Sequence, residues 1–276
     1  MLNPLPLDTY LFSCLAFVFG ACIGSFLNVV ILRWKTGESI VFPPSHCSRC
    51  RQTLKWYENI PLFSYIALCG RCSHCKKPIS LQYPAVEALT GVLFAVWVFR
   101  FPNPAGLIWI SGPIFLSFLV LLSTTDLKWG LLPHPVNNLF MACGLLFAVF
   151  FHPVWGAQTV RDGLMGFVVL SGFLLVMEGL FPGRMGGGDI KMAGGMGAWL
   201  GFSNGLVALG GSFGLGAMAA IGVILTGRGG LKTKLPFAPF LAVGGALVAG
   251  TPNLQGVLGL GVLNWLKPLL TGAGGS

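Results

Sequence analysis

The sequence predicts an all-α polytopic membrane protein of about eight transmembrane helices, interrupted once by a small cytoplasmic insert. Three observations carry that prediction. Of the 276 residues, 54% are hydrophobic and only 9% are charged, with a mean hydropathy of +0.79. A soluble domain carries about 25% charged residues, so this chain lacks the polar side chains to cover a surface that faces water. The apolar residues fall into long runs separated by short polar turns. Eight of the 17 Lys and Arg residues crowd between Arg33 and Lys77, which is the signature of a cytoplasmic loop. That signature already accounts for the net charge of +9, so no nucleic-acid partner is needed to explain it.

Taken in order, the apolar runs cover residues 10–32, 85–99, 107–123, 136–151, 163–181, 190–202, 205–226 and 237–250. Several are shorter than the roughly 20 residues of an ideal span. The count is eight spans, with a ninth, re-entrant or interfacial piece over 255–270 as the alternative. Residues 1–9, MLNPLPLDT, lack a basic n-region, so the first run is expected to stay as a membrane helix. The organisation that follows is an N-terminal segment with the first helix (1–32), the insert (33–84), a transmembrane core (85–252) and a Gly-rich tail (253–276).

Starting with the N-terminus outside and alternating, the inner segments hold 14 of the 17 basic residues. The outer ones hold Arg100 and Arg161, and the tail holds Lys267. This asymmetry orients the chain with the insert in the cytoplasm. Most of the 40 glycines read as small residues that let membrane helices approach one another. No internal repeat is visible, which counts against the inverted-repeat plan of many transporters.

Within the insert, "CSRCRQTLKWYENIPLFSYIALCGRCSHC" places Cys47 and Cys50 in one CxxC pair, and Cys72 and Cys75 in another. Two such pairs supply four thiolates for a tetrahedral zinc ion. Cytoplasmic thiols stay reduced, which favours metal over a disulfide. Four thiolates leave no open coordination position, so the expected role is structural, stapling a loop that has little core of its own. Cys69 is expected to be a spectator, and His46 and His74 are competing ligands. Cys14, Cys22 and Cys143 lie in apolar runs and read as packing residues.

The chain has only four Asp and four Glu. Asp8, Asp162, Glu38 and Glu58 fall in loops or tails, and Glu87 and Glu178 lie near span ends. Asp126, in "LLSTTDLKWGLLP", ends the third run on the inner side. Asp189, in "GRMGGGDIKMAGG", opens the sixth on the same side. An ionisable group at membrane depth is costly and marks a functional site by default. Two carboxylates at one depth can share a proton, one drawing a proton from water while the other protonates a scissile amide. A second reading pairs Asp126 with Lys128 and Asp189 with Lys191 as interface salt bridges. Gly186, Gly187 and Gly188 are read as granting backbone freedom and close approach beside Asp189.

In order along the chain, "GSFLNVVILR" (24–33), the CxxC pairs around "ENIPLFSY", "ISLQYPAVEALTG" (79–91), "DLKWGLLP" (126–133), "GGGDIK" with "GAWLG" (186–201) and "LPFAPFLAVGG" (235–245) resemble the type IV prepilin peptidases, also called leader peptidase–methyltransferases. That resemblance covers most of the chain. It implies a GxGD-type aspartyl endopeptidase of the bacterial inner membrane, multi-pass, with a periplasmic N-terminus. Such an enzyme removes the basic leader from prepilins or pseudopilins at the cytoplasmic face. It usually then N-methylates the new N-terminus with S-adenosylmethionine, a site that no spacing in this chain reveals. By motif match, Asp126 and Asp189 are catalytic and Cys47, Cys50, Cys72 and Cys75 bind the metal. His134 stands where the family commonly carries an acid, and Cys69 where an arginine is common. The competing class is a transporter in which Asp126 and Asp189 relay protons or bind a cation. Carboxylates at one face rather than the midplane argue against it.

Overall fold

A computed structural model describes residues 7–101, 108–150, 159–183, 185–227 and 235–251. The tail, the alternative ninth piece at 255–270, Arg184 and the basic loop 228–234 lie outside the described residues. The described chain is helical, without a named strand, and divides into two compact units, Met1–Thr125 and Asp126–Ser276.

The first unit is built on α1 (Leu7–Thr36) and α3 (Gln82–Arg100), which pack closely because glycines remove the side chains between them. A Cβ on Gly24 would lie 2.7 Å from Glu87 Cα, and one on Gly20 2.8 Å from the Thr90 carbonyl oxygen. Between the two helices run a short 3-10 helix (Trp56–Asn59) and α2 (Phe63–Ala67). Two buried charged side chains anchor this insert to the helices. Arg33, in the last turn of α1, donates to the carbonyls of Ser39 (2.8 Å) and Pro43 (2.6 Å). Glu87 of α3 accepts the Leu62 N–H at 2.8 Å. Each charge is thus hydrogen-bonded where it is buried, as burial requires. Cys14 and Cys22 sit on exposed faces of α1 rather than in its packed seam. In a bilayer an apolar side chain needs no protein partner to leave water, so position in an apolar run does not imply packing.

Helix α4 (Ile108–Trp129) ends in the second unit, which contains α5 (His134–Phe150), α6 (Val160–Leu180), α7 (Gly187–Leu225) and α8 (Ala238–Ala249). Helix α7 is two arms, not one rod. Gly201 has φ +80° and ψ 176°, a conformation that L side chains avoid. Beyond it the chain turns back. Eight residues of straight helix would separate Gly197 from Gly205 by about 12 Å, yet a Cβ on Gly205 would lie 3.4 Å from Gly197 Cα. Contacts with α6 give the direction. Along the first arm, Gly194 meets Phe167 and Ser171 whereas Gly197 meets Gly166. Along the second, Gly205 meets Leu170 and Phe213 meets Phe173. The arms therefore run opposite ways along α6, and they correspond to the separate runs expected at 190–202 and 205–226. Asp162 fixes the reversal, its Oδ1 accepting the Phe202 N–H at 2.9 Å.

Among the described residues, five helices are long and apolar enough to cross a membrane, namely α1, α3, α4, α6 and α7. Helices α5 and α8 are shorter and apolar. With α7 counted as two arms, all eight expected runs are helical.

Candidate functional site

In the second unit, Asp126 lies close enough to Asp189 for its charge to act on the Asp189 carboxylate. Asp126 is 8% exposed. Its Oδ2 accepts the N–H of Ala238 at 3.1 Å, the first residue of α8. A helix N-terminus presents N–H groups without intrahelical partners and a positive dipole end, so the start of α8 is a natural seat for a carboxylate. The adjacent Pro239 lacks an N–H and suits the first turn of a helix.

Asp189 occupies the third position of α7 and reaches back, its Oδ2 accepting the Gly186 N–H at 3.3 Å. Its Oδ1 is buried and has no hydrogen-bond partner among the described residues. A buried acceptor left open in this way is costly, and in a site it marks the atom available to a reacting group. Lys191 does not pair with it, because its Nζ donates to Asn138 Oδ1 at 3.2 Å.

The loop that leads to Asp189 is tied down from two sides. Glu178 of α6 accepts the N–H groups of Gly183 (2.7 Å) and Met185 (2.9 Å). Asn137, fully buried in the first turn of α5, donates from Nδ2 to the Gly188 carbonyl at 2.7 Å. The sequence marked Glu178 only as a charge near a span end and did not single out Asn137, because neither residue type reveals its partner across the fold.

The three glycines prove unequal. None has a positive φ, so backbone freedom is not what they supply. A Cβ on Gly187 would meet nothing within 4 Å, whereas one on Gly188 would lie 2.8 Å from Leu132 Cβ and 2.9 Å from its Cδ1. Close approach is required at Gly188, and the neighbour is the leucine of the Leu132–Pro133 step rather than a backbone strand.

In the first unit, Cys47, Cys50, Cys72 and Cys75 place all four Sγ atoms within 4.8 Å of one another. Cys47 Sγ and Cys75 Sγ are 3.9 Å apart, close to the roughly 3.8 Å edge of a tetrahedron with 2.3 Å Zn–S bonds. The donor set and its size fit a metal ion such as zinc. The two halves are local copies. In each, the first Cys N–H donates to the carbonyl five residues on, at 2.9 Å to Gln52 and 3.0 Å to Lys77. In each, the residue after the second Cys has a positive φ, 58° at Arg51 and 57° at Lys76. Isolated bridges His46↔Thr53 and Arg71↔Pro78 close both turns. The backbone N–H groups of Cys75 and then His74 point at the Cys72 thiol and hold it down at about 6, whereas the Cys50 thiol, despite the Gln52 backbone hydrogen bond, is pushed up to about 11 by desolvation and the three neighbouring thiols. Cys69, His46 and His74 are not members of the cluster. His46 Nδ1 lies 3.1 Å from the Pro44 carbonyl and His74 Nδ1 lies 2.9 Å from the Ser73 hydroxyl.

Fold and site together define a helical multi-pass membrane protein with a close carboxylate pair, one member buried, and a four-thiol cluster. Two family models match the chain: the bacterial peptidase A24 N-terminal domain over residues 18–101 and the type IV leader peptidase family over 113–221. Among curated proteins, the prepilin leader peptidase/N-methyltransferase of Myxococcus xanthus (strain DK1622) is 40% identical over 232 residues, covering 81% of this chain and 67% of the relative. That of Bacillus subtilis (strain 168) is 35% identical over 237 residues, covering 84% and 91%. That of Burkholderia pseudomallei (strain 1026b) is 34% identical over 274 residues, covering 86% and 85%. The chain belongs to the type IV leader peptidase family. No solved structure matches it significantly.

Proposed function

We propose that the chain is a prepilin leader peptidase and N-methyltransferase of the inner membrane in which Asp126 and Asp189 are the catalytic pair. The observation that carries the assignment is a buried carboxylate, Asp126, whose charge acts on a half-buried one, Asp189, with Asp189 Oδ1 buried and without a hydrogen-bond partner among the described residues. One carboxylate, ionised, takes a proton from water as the water oxygen attacks the scissile carbonyl carbon. The other, protonated, gives its proton to the amide nitrogen as the C–N bond breaks. The α8 N-terminus at Asp126 and the Gly186 N–H at Asp189 hold the two side chains in place for this exchange.

The substrate is a prepilin or pseudopilin, an apolar helix preceded by a basic leader. Lateral entry from the bilayer brings the junction of leader and helix to the carboxylates. The insert (33–84) is cytoplasmic and the N-terminus periplasmic. The support is the gathering of 14 of 17 basic residues on the inner segments. Residues 85–252 form the catalytic core in this reading. Cys47, Cys50, Cys72 and Cys75 hold a structural zinc ion that folds the insert. S-adenosylmethionine supplies the methyl group of the second reaction when bound.

The test is incubation of the purified full chain with a purified prepilin, followed by mass spectrometry of the pilin N-terminus. Loss of the leader and gain of a methyl group are expected. An uncleaved pilin would remove the peptidase assignment, and a free amine after complete cleavage would remove the methyl-transfer half.

A further inference from the structure

Asn137 stands out among the groups that the catalytic pair leaves unexplained. It is an uncharged polar side chain with no exposed surface. Its Nδ2 donates to the carbonyl oxygen of Gly188 at 2.7 Å, while its Oδ1 is buried without a hydrogen-bond partner among the described residues. Gly188 is joined through its carbonyl to Asp189. Because the Gly188 carbonyl and the Asp189 nitrogen share one planar peptide unit, holding that oxygen fixes the plane from which Asp189 departs.

The surrounding contacts make this bond matter. Gly188 is also pressed on the Leu132 side chain, so the Gly188–Asp189 peptide is set by that packing and by one amide. Among the described residues the Asp189 carboxylate accepts one hydrogen bond, from the Gly186 N–H at 3.3 Å. That is long for a hydrogen bond to a carboxylate. A neighbour of Asn137 gives a contrast. Asn138 is exposed and accepts a hydrogen bond from Lys191 of α7. The two amides join the same pair of helices, but only Asn137 acts on the peptide that carries the carboxylate.

We propose that Asn137 is a positioning residue for leader cleavage, orienting the Gly188–Asp189 peptide so that Asp189 Oδ1 meets the substrate. The proposal rests on the peptidase reading above. It is also sharper than a packing role. An apolar side chain of the same size would fill the volume equally well but could not donate to Gly188, and it would relieve the unpaired Oδ1. A purely structural asparagine replaced by leucine would cost stability, because the Gly188 carbonyl loses its donor, but would leave kcat for cleavage near the wild-type value in the protein that folds.

The experiment compares the full-length wild type with Asn137→Leu, Asn137→Asp and Asn138→Ala, using purified prepilin for cleavage and an already cleaved pilin for N-methylation. Asn137→Asp keeps the shape and puts an acceptor against the Gly188 carbonyl. Both Asn137 variants are expected to lose kcat on the order of a hundredfold, the scale of a misplaced reacting group, with KM within about twofold of wild type. Methylation of the cleaved pilin is expected to persist, showing folded protein, and Asn138→Ala is expected to cleave normally. Near-wild-type kcat in both Asn137 variants, or a rise in KM with kcat unchanged, would overturn the positioning role. Failure of the wild type itself to cleave would overturn the peptidase reading beneath it, a result distinct from either.

Discussion

Substituting Gly188 by Ala tests why a glycine run precedes Asp189. The new methyl would arrive 2.8 Å from Leu132 Cβ and 2.9 Å from Leu132 Cδ1, against an optimal carbon separation of about 3.5–4.0 Å. Leu132 is buried, and its Cβ is fixed to the backbone, so a rotamer change relieves the second contact but not the first. Overpacking of this kind costs about 1–3 kcal/mol. If the start of α7 moves to absorb it, that energy corresponds to a loss of roughly 5- to 150-fold in cleavage rate, at 1.36 kcal/mol per tenfold. Gly187→Ala supplies the control, because a Cβ there meets nothing within 4 Å and φ is not positive. Pairing Gly188→Ala with Leu132→Ala should recover part of the loss through coupling of contacting residues. The assay is the steady-state rate of leader removal from purified prepilin. Equal activity of the Gly187 and Gly188 variants would refute the close-approach argument, and a greater loss at Gly187 would reverse it.

Purified chain is expected to carry about one zinc ion, the stoichiometry of a four-thiolate site, and to lose it in the double variant Cys47→Ser/Cys72→Ser. Elemental analysis decides, and metal-free protein with an intact insert would refute the site. Asp162→Ala removes the acceptor of the Phe202 N–H at the α7 reversal. A loss of about 1.5–3 kcal/mol, the usual worth of a hydrogen bond to a charged group, should lower the thermal midpoint in detergent, and an unchanged midpoint would refute the anchoring role. Labelling of single cysteines placed in the insert, in cells with an intact inner membrane, should fail with an impermeant thiol reagent. Ready labelling would invert the orientation.

The helices were legible because a bilayer demands continuous apolar runs, and the runs at 190–202 and 205–226 separated correctly even though one helix label now covers both. Asp126 and Asp189 were legible for the same reason, as rare charges in apolar surroundings. The thiol cluster was legible from spacing alone. What the sequence hid were groups whose meaning lies in a distant partner. Asp162 looked like a loop acid until Phe202 came beside it. Glu178 looked like a span-end charge until the Gly183–Met185 turn folded onto it. Asn137 carried no signal, since an asparagine after a proline at a helix start is ordinary. Of the glycines before Asp189, read as giving backbone freedom and the close approach of another backbone, only Gly188 is pressed by another segment, and by a side chain. Which one is needed, and against what, depends on Leu132 arriving from another segment.

The central claim is that Asp126 and Asp189 act together on the scissile amide. Its most direct test is cleavage of purified prepilin by Asp126→Asn and Asp189→Asn, each shown to be folded by its continued methylation of an already cleaved pilin. Each substitution keeps the side chain's size and removes its ability to exchange a proton. Both variants are predicted to abolish leader removal, and leader removal at an undiminished rate by either one would contradict the account.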